Sequence, residues 1–127
     1  MKNEYVMVIE DDRDIRENLK ELLESEGYSV VVAENGKVAL ELLLRETNYP
    51  YVILLDLMMP IMDGREFIKA IHEIPSLKEL PIVVISAGFE KIEGRIAGFM
   101  KKPLDLEEVL LVVEKFANER EGRRRDV

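Results

Sequence analysis

Five short apolar runs, most of them separated by stretches with helical spacing, constrain the fold of this chain more than any other feature. The runs are rich in valine, isoleucine and leucine, and their apolar residues are consecutive rather than alternating. Strands of this kind are typical of a parallel sheet that helices cover on both faces. Repeated strand–helix alternation therefore predicts an α/β domain. The predicted strands are residues 5–9, 28–33, 51–55, 81–85 and 99–100.

The stretches between the runs carry apolar residues three and four positions apart, which is the spacing of an amphipathic helix. Gly27 ends the first of these helices, since glycine is common just after a helix. Asp105 begins the last one, with Glu108 three positions on as in a capping box. The predicted helices occupy residues 13–26, a stretch after Asn35-Gly36, residues 63–73 and a stretch after residue 105.

Residues 87–98 form the weakest part of this pattern. Three glycines interrupt a thin apolar pattern there, at positions 88, 94 and 98. Glycine costs about 1 kcal/mol relative to alanine inside a helix. We therefore expect any helix between the fourth and fifth strands to be short or irregular.

The composition is that of one folded domain. The chain has 127 residues, of which 47% are hydrophobic and 35% charged, which argues against both a disordered chain and a membrane protein. No apolar run approaches the roughly 20 residues that span a bilayer, and the first residues lack the layout of a signal peptide. Cysteine is absent, which excludes disulfides, thiolate zinc sites and cysteine nucleophiles. We expect a cytoplasmic protein.

The charge disfavours nucleic acid as a direct partner. The net charge is −8, and a phosphate backbone demands a basic surface. The only strongly basic stretch is the arginine-rich end of the chain, which we interpret as a solvated tail. We therefore assign residues 1–121 to the domain and residues 122–127 to a basic C-terminal tail.

Polar and charged side chains follow four of the five predicted strands. Because parallel strands present their carboxyl ends at one edge of the sheet, and ligands bind at that edge, these residues are expected to meet. Acids follow the first and third strands, a hydroxyl follows the fourth, and a lysine follows the fifth. The residues are Glu10, Asp11 and Asp12, then Asp56, Ser86 and Lys102.

Clustered carboxylates repel one another unless a cation offsets them. In a chain without cysteine and with one histidine, oxygen ligands favour Mg²⁺, Mn²⁺ or Ca²⁺. A nearby lysine and hydroxyl suit the oxygens of a phosphoryl group, and a carboxylate can accept that group as an aspartyl phosphate. The residues thus indicate a Mg²⁺-assisted, phosphoryl-accepting aspartate.

Four motifs in this order make the chain resemble the receiver domain of bacterial response regulators. The resemblance covers about residues 4–118, and the segment at 56–64 is highly specific on its own. It implies a doubly wound, flavodoxin-like fold with five parallel strands in the order 2-1-3-4-5. The motifs are VMVIEDD at residues 6–12, DLMMPIMDG at 56–64, Ser86-Ala87 and Lys102-Pro103.

The resemblance assigns roles to the acids. Asp56 would be the phosphoacceptor and, with Asp11, a direct ligand of Mg²⁺ or Mn²⁺. Glu10 would hold the metal through water, and the backbone carbonyl of Met58 would complete the ligands from the protein. Asp12 lies just outside the usual acid pair, and it is also placed to cap the first helix.

The resemblance also assigns the residues that would bind the phosphoryl group. Ser86 would bind it through its hydroxyl, Ala87 through its backbone, and Lys102 through its ammonium group. Ser86 and Phe99 would form the switch, with Phe99 in place of the tyrosine often found there. The Lys102-Pro103 peptide bond would be cis.

Three further residues have structural roles in the same resemblance. Pro60 and Gly64 would shape the loop after Asp56, and Asp63 would cap the third helix. Only 15 residues separate Ser86 from Lys102, fewer than in typical members of the family, so we expect a shortened or irregular fourth helix.

The function implied is that of a phosphoacceptor in a two-component phosphorelay. A sensor histidine kinase or a histidine phosphotransfer protein would be the donor, an unidentified output protein would be the target, and the chain would be a monomer or weak dimer. It would not be an enzyme beyond catalysing its own phosphorylation and dephosphorylation. A Mg²⁺ phosphatase or phosphotransferase is an alternative, but Met58 stands where such enzymes often carry a second acid. A receiver that binds partners without phosphorylation is the other alternative.

Overall fold

The computed structural model describes residues 4–88 and 91–125, with the backbone alone for residues 121–125. The strands and helices alternate up to the fourth strand, as the apolar pattern predicts. After β4 the chain passes to β5 and then to a C-terminal helix. In chain order the elements are β1 (Val6–Ile9), α1 (Arg13–Ser25), β2 (Val30–Ala33), α2 (Gly36–Arg45), β3 (Val52–Asp56), α3 (Gly64–His72), β4 (Ile82–Ser86), β5 (Gly98–Lys101) and α4 (Leu106–Arg125).

All the neighbouring strands of the sheet pair in parallel, in the order β2-β1-β3-β4-β5. The predicted doubly wound, flavodoxin-like order is therefore confirmed. The strand order reverses direction at β1, which has β2 on one side and β3 on the other. Such a reversal opens a crevice at the carboxyl ends of the strands.

Alternate residues of each central strand pack against two different layers of helices. In β3, Ile53 and Leu55 belong to the core beneath α2 and α3, whereas Val52 and Leu54 belong to the core beneath α1 and α4. All four of these side chains are fully buried. Burial on both faces explains why the strands read as continuous apolar runs in the sequence.

The connection between β4 and β5 is irregular, which is one of the two outcomes expected for a shortened or irregular fourth helix. Its described residues, 87–88 and 91–97, form no helix. Gly94 has φ of +99°, a left-handed conformation that interrupts a right-handed helix. Residues 91–97, here called the crossing segment, instead lie against α3.

Backbone and side-chain contacts hold the crossing segment in place. Arg65 of α3 donates to the carbonyl of Lys91. Arg95 donates to the carbonyl of Lys78 and pairs with Glu79 at 2.9 Å. The segment is thus joined both to α3 and to the residues before β4.

The C-terminal helix continues past the boundary proposed between the domain and the basic tail. Its backbone is helical to Arg125, and residues 126–127 lie outside the described residues. The division at residues 121 and 122 stays a prediction. None of the described helices combines the length and apolar character needed to cross a membrane.

Candidate functional site

Strand register brings the predicted site residues to one edge of the sheet. Ile9 pairs with Leu55, so Glu10 and Asp56 follow neighbouring positions of β1 and β3. Ser86 pairs with Lys101 in the same way at the ends of β4 and β5. The residues that close these four strands therefore meet at the crevice where the strand order reverses.

Three carboxylates lie together in this crevice. Glu10, Asp11 and Asp56 each offer an oxygen within 4.8 Å of the others. Glu10 and Asp56 are buried, with 1% and 3% of their surface exposed, whereas Asp11 is exposed. The cluster is thus open to solvent on the side of Asp11 and closed on the side of the strands.

The cluster fits a hard divalent cation. All its ligand atoms are carboxylate oxygens, which suit Mg²⁺ or Mn²⁺ better than softer metals. The Oε1 atom of Glu10 is buried and accepts no hydrogen bond from any described residue. An unsatisfied buried carboxylate oxygen costs free energy unless a cation or water satisfies it.

Lys102 supplies the positive charge of the site. Its Nζ lies 3.3 Å from Oε1 of Glu10 and 3.5 Å from Oδ1 of Asp56, and both are ion-pair distances. The contact with Oε1 of Glu10 does not have the geometry of a hydrogen bond. Burial alone would lower the pKa of Lys102, but the two carboxylates outweigh burial and raise it. Lys102 is therefore positively charged at neutral pH.

The protonation of Glu10 is strongly perturbed by its surroundings. Burial, followed by its hydrogen bond with Asp56 and the charge of that carboxylate, raises the pKa of Glu10 from 4.5 to about 7. The backbone N–H of Asp12 and the charge of Lys102 act in the opposite direction. Without a metal ion, Glu10 and Asp56 thus share a site in which two negative charges are costly.

The loop after Asp56 is closely packed against the start of α3. The N–H of Met58 donates to Oδ1 of Asp56 at 3.3 Å, and the N–H of Gly64 donates to the carbonyl of Leu57 at 2.9 Å. A Cβ at Gly64 would lie 2.7 Å from Cα of Leu57 and 2.8 Å from the carbonyl oxygen of Asp56. Only glycine therefore permits α3 to begin so close to the acid.

Asp63 caps α3, as expected. Its side chain accepts from the N–H of Glu66 at 2.9 Å, and the Glu66 side chain accepts from the N–H of Asp63 at 3.0 Å. This reciprocal pair is a capping box. Between it and Asp56, Pro60 is exposed, and Ile61 has a positive φ of 69°, which is a costly conformation for a β-branched side chain.

The fourth and fifth strands bring the remaining predicted residues to the crevice. Ser86 is buried, its Oγ accepts from the N–H of Gly88 at 3.3 Å, and its carbonyl accepts from the N–H of Lys102 at 2.8 Å. Ala87 is exposed beside it. The Lys102-Pro103 peptide bond is cis, as the resemblance implied.

The two predicted residues with apolar side chains differ in exposure. Phe99 is half-buried and packs against the core beneath α2 and α3. Met58 points away from the core, with 73% of its surface exposed. Phe99 thus has the partial burial that a change of exposure at a switch requires, and the switch itself stays a prediction.

The first turns of α1 carry a cap that was expected and one residue, Arg16, that the sequence patterns did not indicate. Asp12 caps α1 by accepting from the N–H of Ile15 at 3.1 Å, in line with one of its expected roles. Arg16, one turn further, donates from Nη1 to the carbonyls of Glu10 at 3.0 Å and Asp11 at 3.3 Å. The available signal was a basic residue one turn inside the helix that begins just after the acid pair.

A family model and curated relatives match the chain. Residues 6–114 match the model described as "Response regulator receiver domain". An uncharacterized 14.6 kDa protein of Leptolyngbya boryana is 36% identical over 87% of this chain and 88% of its own length. The response regulator MprA of a Mycobacterium species (strain KMS) is 37% identical over 83% of this chain but only 46% of its own length.

Solved structures show the same architecture. The chemotaxis response regulator CheY4 of Vibrio cholerae superposes with a TM-score of 0.80, at 28% identity, over 91% of this chain and 99% of that one. The signal receiver domain of a signal transduction histidine kinase from Syntrophus aciditrophicus gives a TM-score of 0.82, over 91% of both chains. At 24% identity the second likeness concerns the fold alone.

Proposed function

Because the chain belongs to the response regulator receiver domain family, we propose that it accepts a phosphoryl group on Asp56 from a phosphohistidine. The donor is a sensor histidine kinase or a histidine phosphotransfer protein. In the transfer, an oxygen of Asp56 forms a bond to phosphorus as the bond from phosphorus to the histidine nitrogen breaks. The proton that the departing imidazole needs comes from solvent or from the donor protein.

The observation that supports this proposal most strongly is the environment of Asp56. Its carboxylate is buried at the end of β3, with Lys102 at 3.5 Å and an acidic group beside it. Burying an acid is costly for folding, and residues that carry such a cost cluster at functional sites. A phosphoryl group attached there lies within reach of a cation on one side and a metal-binding cluster on the other.

Glu10, Asp11 and Asp56 are the side chains that would hold Mg²⁺ or Mn²⁺, with Asp11 and Asp56 as direct ligands, Glu10 through water and the Met58 carbonyl as a further ligand. When bound, the ion supplies positive charge that offsets the carboxylates and the phosphoryl oxygens. The cluster of oxygens and the unsatisfied Oε1 of Glu10 support this assignment.

Ser86, the backbone of Ala87 and Lys102 are proposed to bind the phosphoryl oxygens. Phosphorylation adds about 1.5 to 2 negative charges at pH 7, and charge-assisted hydrogen bonds to these groups would draw the ends of β4 and β5 toward Asp56. The backbone hydrogen bond from the N–H of Lys102 to the carbonyl of Ser86 already joins the ends of β4 and β5. Phe99 on β5 would then change its exposure as the active conformation becomes more populated.

We propose that the switch acts on an output protein, which would recognise the phosphorylated form of the chain. The chain spans about half the length of the MprA relatives that it matches, so the activity of those complete proteins is not carried over to it. We propose a cytoplasmic signalling domain, monomeric or weakly dimeric, that uses no direct contact with nucleic acid and catalyses only its own phosphorylation and dephosphorylation.

A small donor with a phosphorus–nitrogen bond tests this proposal. After incubation with phosphoramidate and Mg²⁺, reductive trapping with borohydride followed by peptide mapping should locate the modification at Asp56. The Asp56→Asn variant, folded as judged by circular dichroism, should give no trapped product. A product at any other acid, or an equal yield from the variant, would refute the assignment of the acceptor.

A further inference from the structure

Arg16 is half-buried on α1 and binds the loop that carries the first two acids. Its Nη1 donates to the carbonyl oxygens of Glu10 and Asp11, at 3.0 and 3.3 Å. Its own backbone N–H donates to the carbonyl oxygen of Asp12 at 2.9 Å. Three consecutive carbonyls of the β1–α1 loop therefore have the same residue as their donor.

The contact with Asp11 reaches the metal-binding cluster through one peptide group. The carbonyl of Asp11 and the N–H of Asp12 belong to the same planar peptide unit. That N–H donates to Oε2 of Glu10 at 3.2 Å. In a trans peptide unit the C=O and the N–H lie in this plane and point in opposite directions. Fixing the direction of the Asp11 carbonyl therefore fixes the direction of the Asp12 N–H, which orients the Glu10 carboxylate.

The orientation of Glu10 determines which of its oxygens faces the site. With Oε2 engaged by the loop, Oε1 is left 3.3 Å from Lys102 and without a hydrogen bond from the described residues. This is the oxygen available to a cation or to its bound water. Groups that orient a ligand in this way typically change metal affinity by 10- to 100-fold when removed.

We propose that Arg16 is a positioning residue for the divalent cation, acting through the 11–12 peptide unit on the carboxylate of Glu10. The proposal rests on the proposed function, because it assumes that the acidic cluster binds Mg²⁺. It assigns to Arg16 no contact with the ion or with the phosphoryl group. It also runs against simple electrostatics, since a positive charge near the cluster by itself weakens the binding of a cation.

The opposite signs of these two effects give a sharp test. Arg16→Met removes the charge and the hydrogen bonds while keeping a long side chain. Arg13→Met is the matched control, because it removes the same charge from an exposed position three residues earlier on α1. The affinity for Mg²⁺ is measured by following backbone amide shifts of residues 10–12 and 56–58 during titration, without any phosphodonor.

Arg16→Met is expected to bind Mg²⁺ about tenfold more weakly than the original chain, whereas Arg13→Met should bind it equally or slightly more tightly. Arg16→Lys, which keeps the charge and one nitrogen donor, should recover part of the loss. The chemical shift of the Asp12 amide should change more in metal-free Arg16→Met than in metal-free Arg13→Met. A urea denaturation curve confirms that each variant is folded.

Equal or tighter binding by Arg16→Met would overturn the proposal, because it would leave only the electrostatic effect. Failure of Arg16→Lys to bind more tightly than Arg16→Met would also overturn it. If the original chain binds no Mg²⁺, the metal site of the proposed function fails and takes this proposal with it. Phosphorylation of Asp56 is read separately by peptide mapping, so the two failures are distinguishable.

Discussion

At the scale of single residues, the site depends on how two buried carboxylates share one lysine. Glu10 and Asp56 are both buried, and Lys102 lies between them at 3.3 and 3.5 Å. Burial and the neighbouring Asp56 carboxylate raise the pKa of Glu10, and the charge of Lys102 offsets only part of this effect. A proton relieves the cost of this buried charge, as a bound metal ion would, so we expect the two to compete.

This competition predicts that Mg²⁺ binding depends on pH. With the pKa of Glu10 near 7 in the metal-free protein, the proton must leave before the negative charge is available to a metal ion. The apparent affinity for Mg²⁺ should therefore fall about tenfold between pH 8 and pH 6. Calorimetric titration at the two pH values measures it.

The matched variant for this experiment is Glu10→Gln, which should bind Mg²⁺ more weakly but with little change between the two pH values. An original chain with the same affinity at pH 6 and pH 8 would contradict the proposed competition.

Glu10 also makes the stability of the metal-free chain depend on pH. Between about pH 4.5 and 7, Glu10 binds more protons in the folded state than in the unfolded state. The contribution of Glu10 to the free energy of unfolding therefore falls as pH rises through that window.

At the scale of elements, the site depends on how closely α3 approaches the end of β3. Gly64, the first residue of α3, leaves no space for a Cβ against the backbone of Asp56 and Leu57. Backbone atoms at the end of a central strand cannot shift cheaply, because the strand is paired on both sides. The start of α3 and the position of Asp56 are therefore coupled.

Gly64→Ala should consequently destabilise the chain by about 1–3 kcal/mol and lower the rate of phosphorylation by displacing the loop after Asp56. Gly98→Ala is the control, since a Cβ there would meet the Val83 side chain at 3.6 Å, an ordinary contact. It should change stability by less than about 1 kcal/mol. Urea denaturation measures both, and equal stability of the two variants would contradict the coupling.

The elements also show where sequence patterns stop being informative. The strands and the helices α1 and α3 were predicted within two residues at each end, and the start of α2 was predicted as well, because their burial follows local periodicity. The crossing segment was not predicted, because its path depends on long-range partners such as Arg65 with Lys91 and Arg95 with Glu79. Glycine content indicated that a regular helix was disfavoured, but no local pattern indicated contact with α3.

At the scale of the whole molecule, the topology explains why site residues far apart in sequence were predictable as a group. A parallel sheet brings the carboxyl ends of all its strands to one edge. The strand pattern alone was therefore enough to predict that the residues after the strands lie close together, namely Glu10, Asp56, Ser86 and Lys102. Arg16 was missed because its function depends on the direction of a side chain from the face of α1, which periodicity alone does not define. Which residues cluster at the edge of the sheet was thus predictable from the sequence, whereas the direction in which a side chain points was known only from the structure.

Intact mass after incubation with acetyl phosphate tests most directly whether Asp56 is a metal-dependent phosphoacceptor. We expect the chain to gain one phosphoryl group with Mg²⁺ and none with a chelator. Asp56→Asn should gain none, whereas Asp63→Asn, which keeps a capping side chain, should gain one. A phosphoryl group on Asp56→Asn, incorporation that does not need Mg²⁺, or no gain by the folded original chain would contradict this assignment.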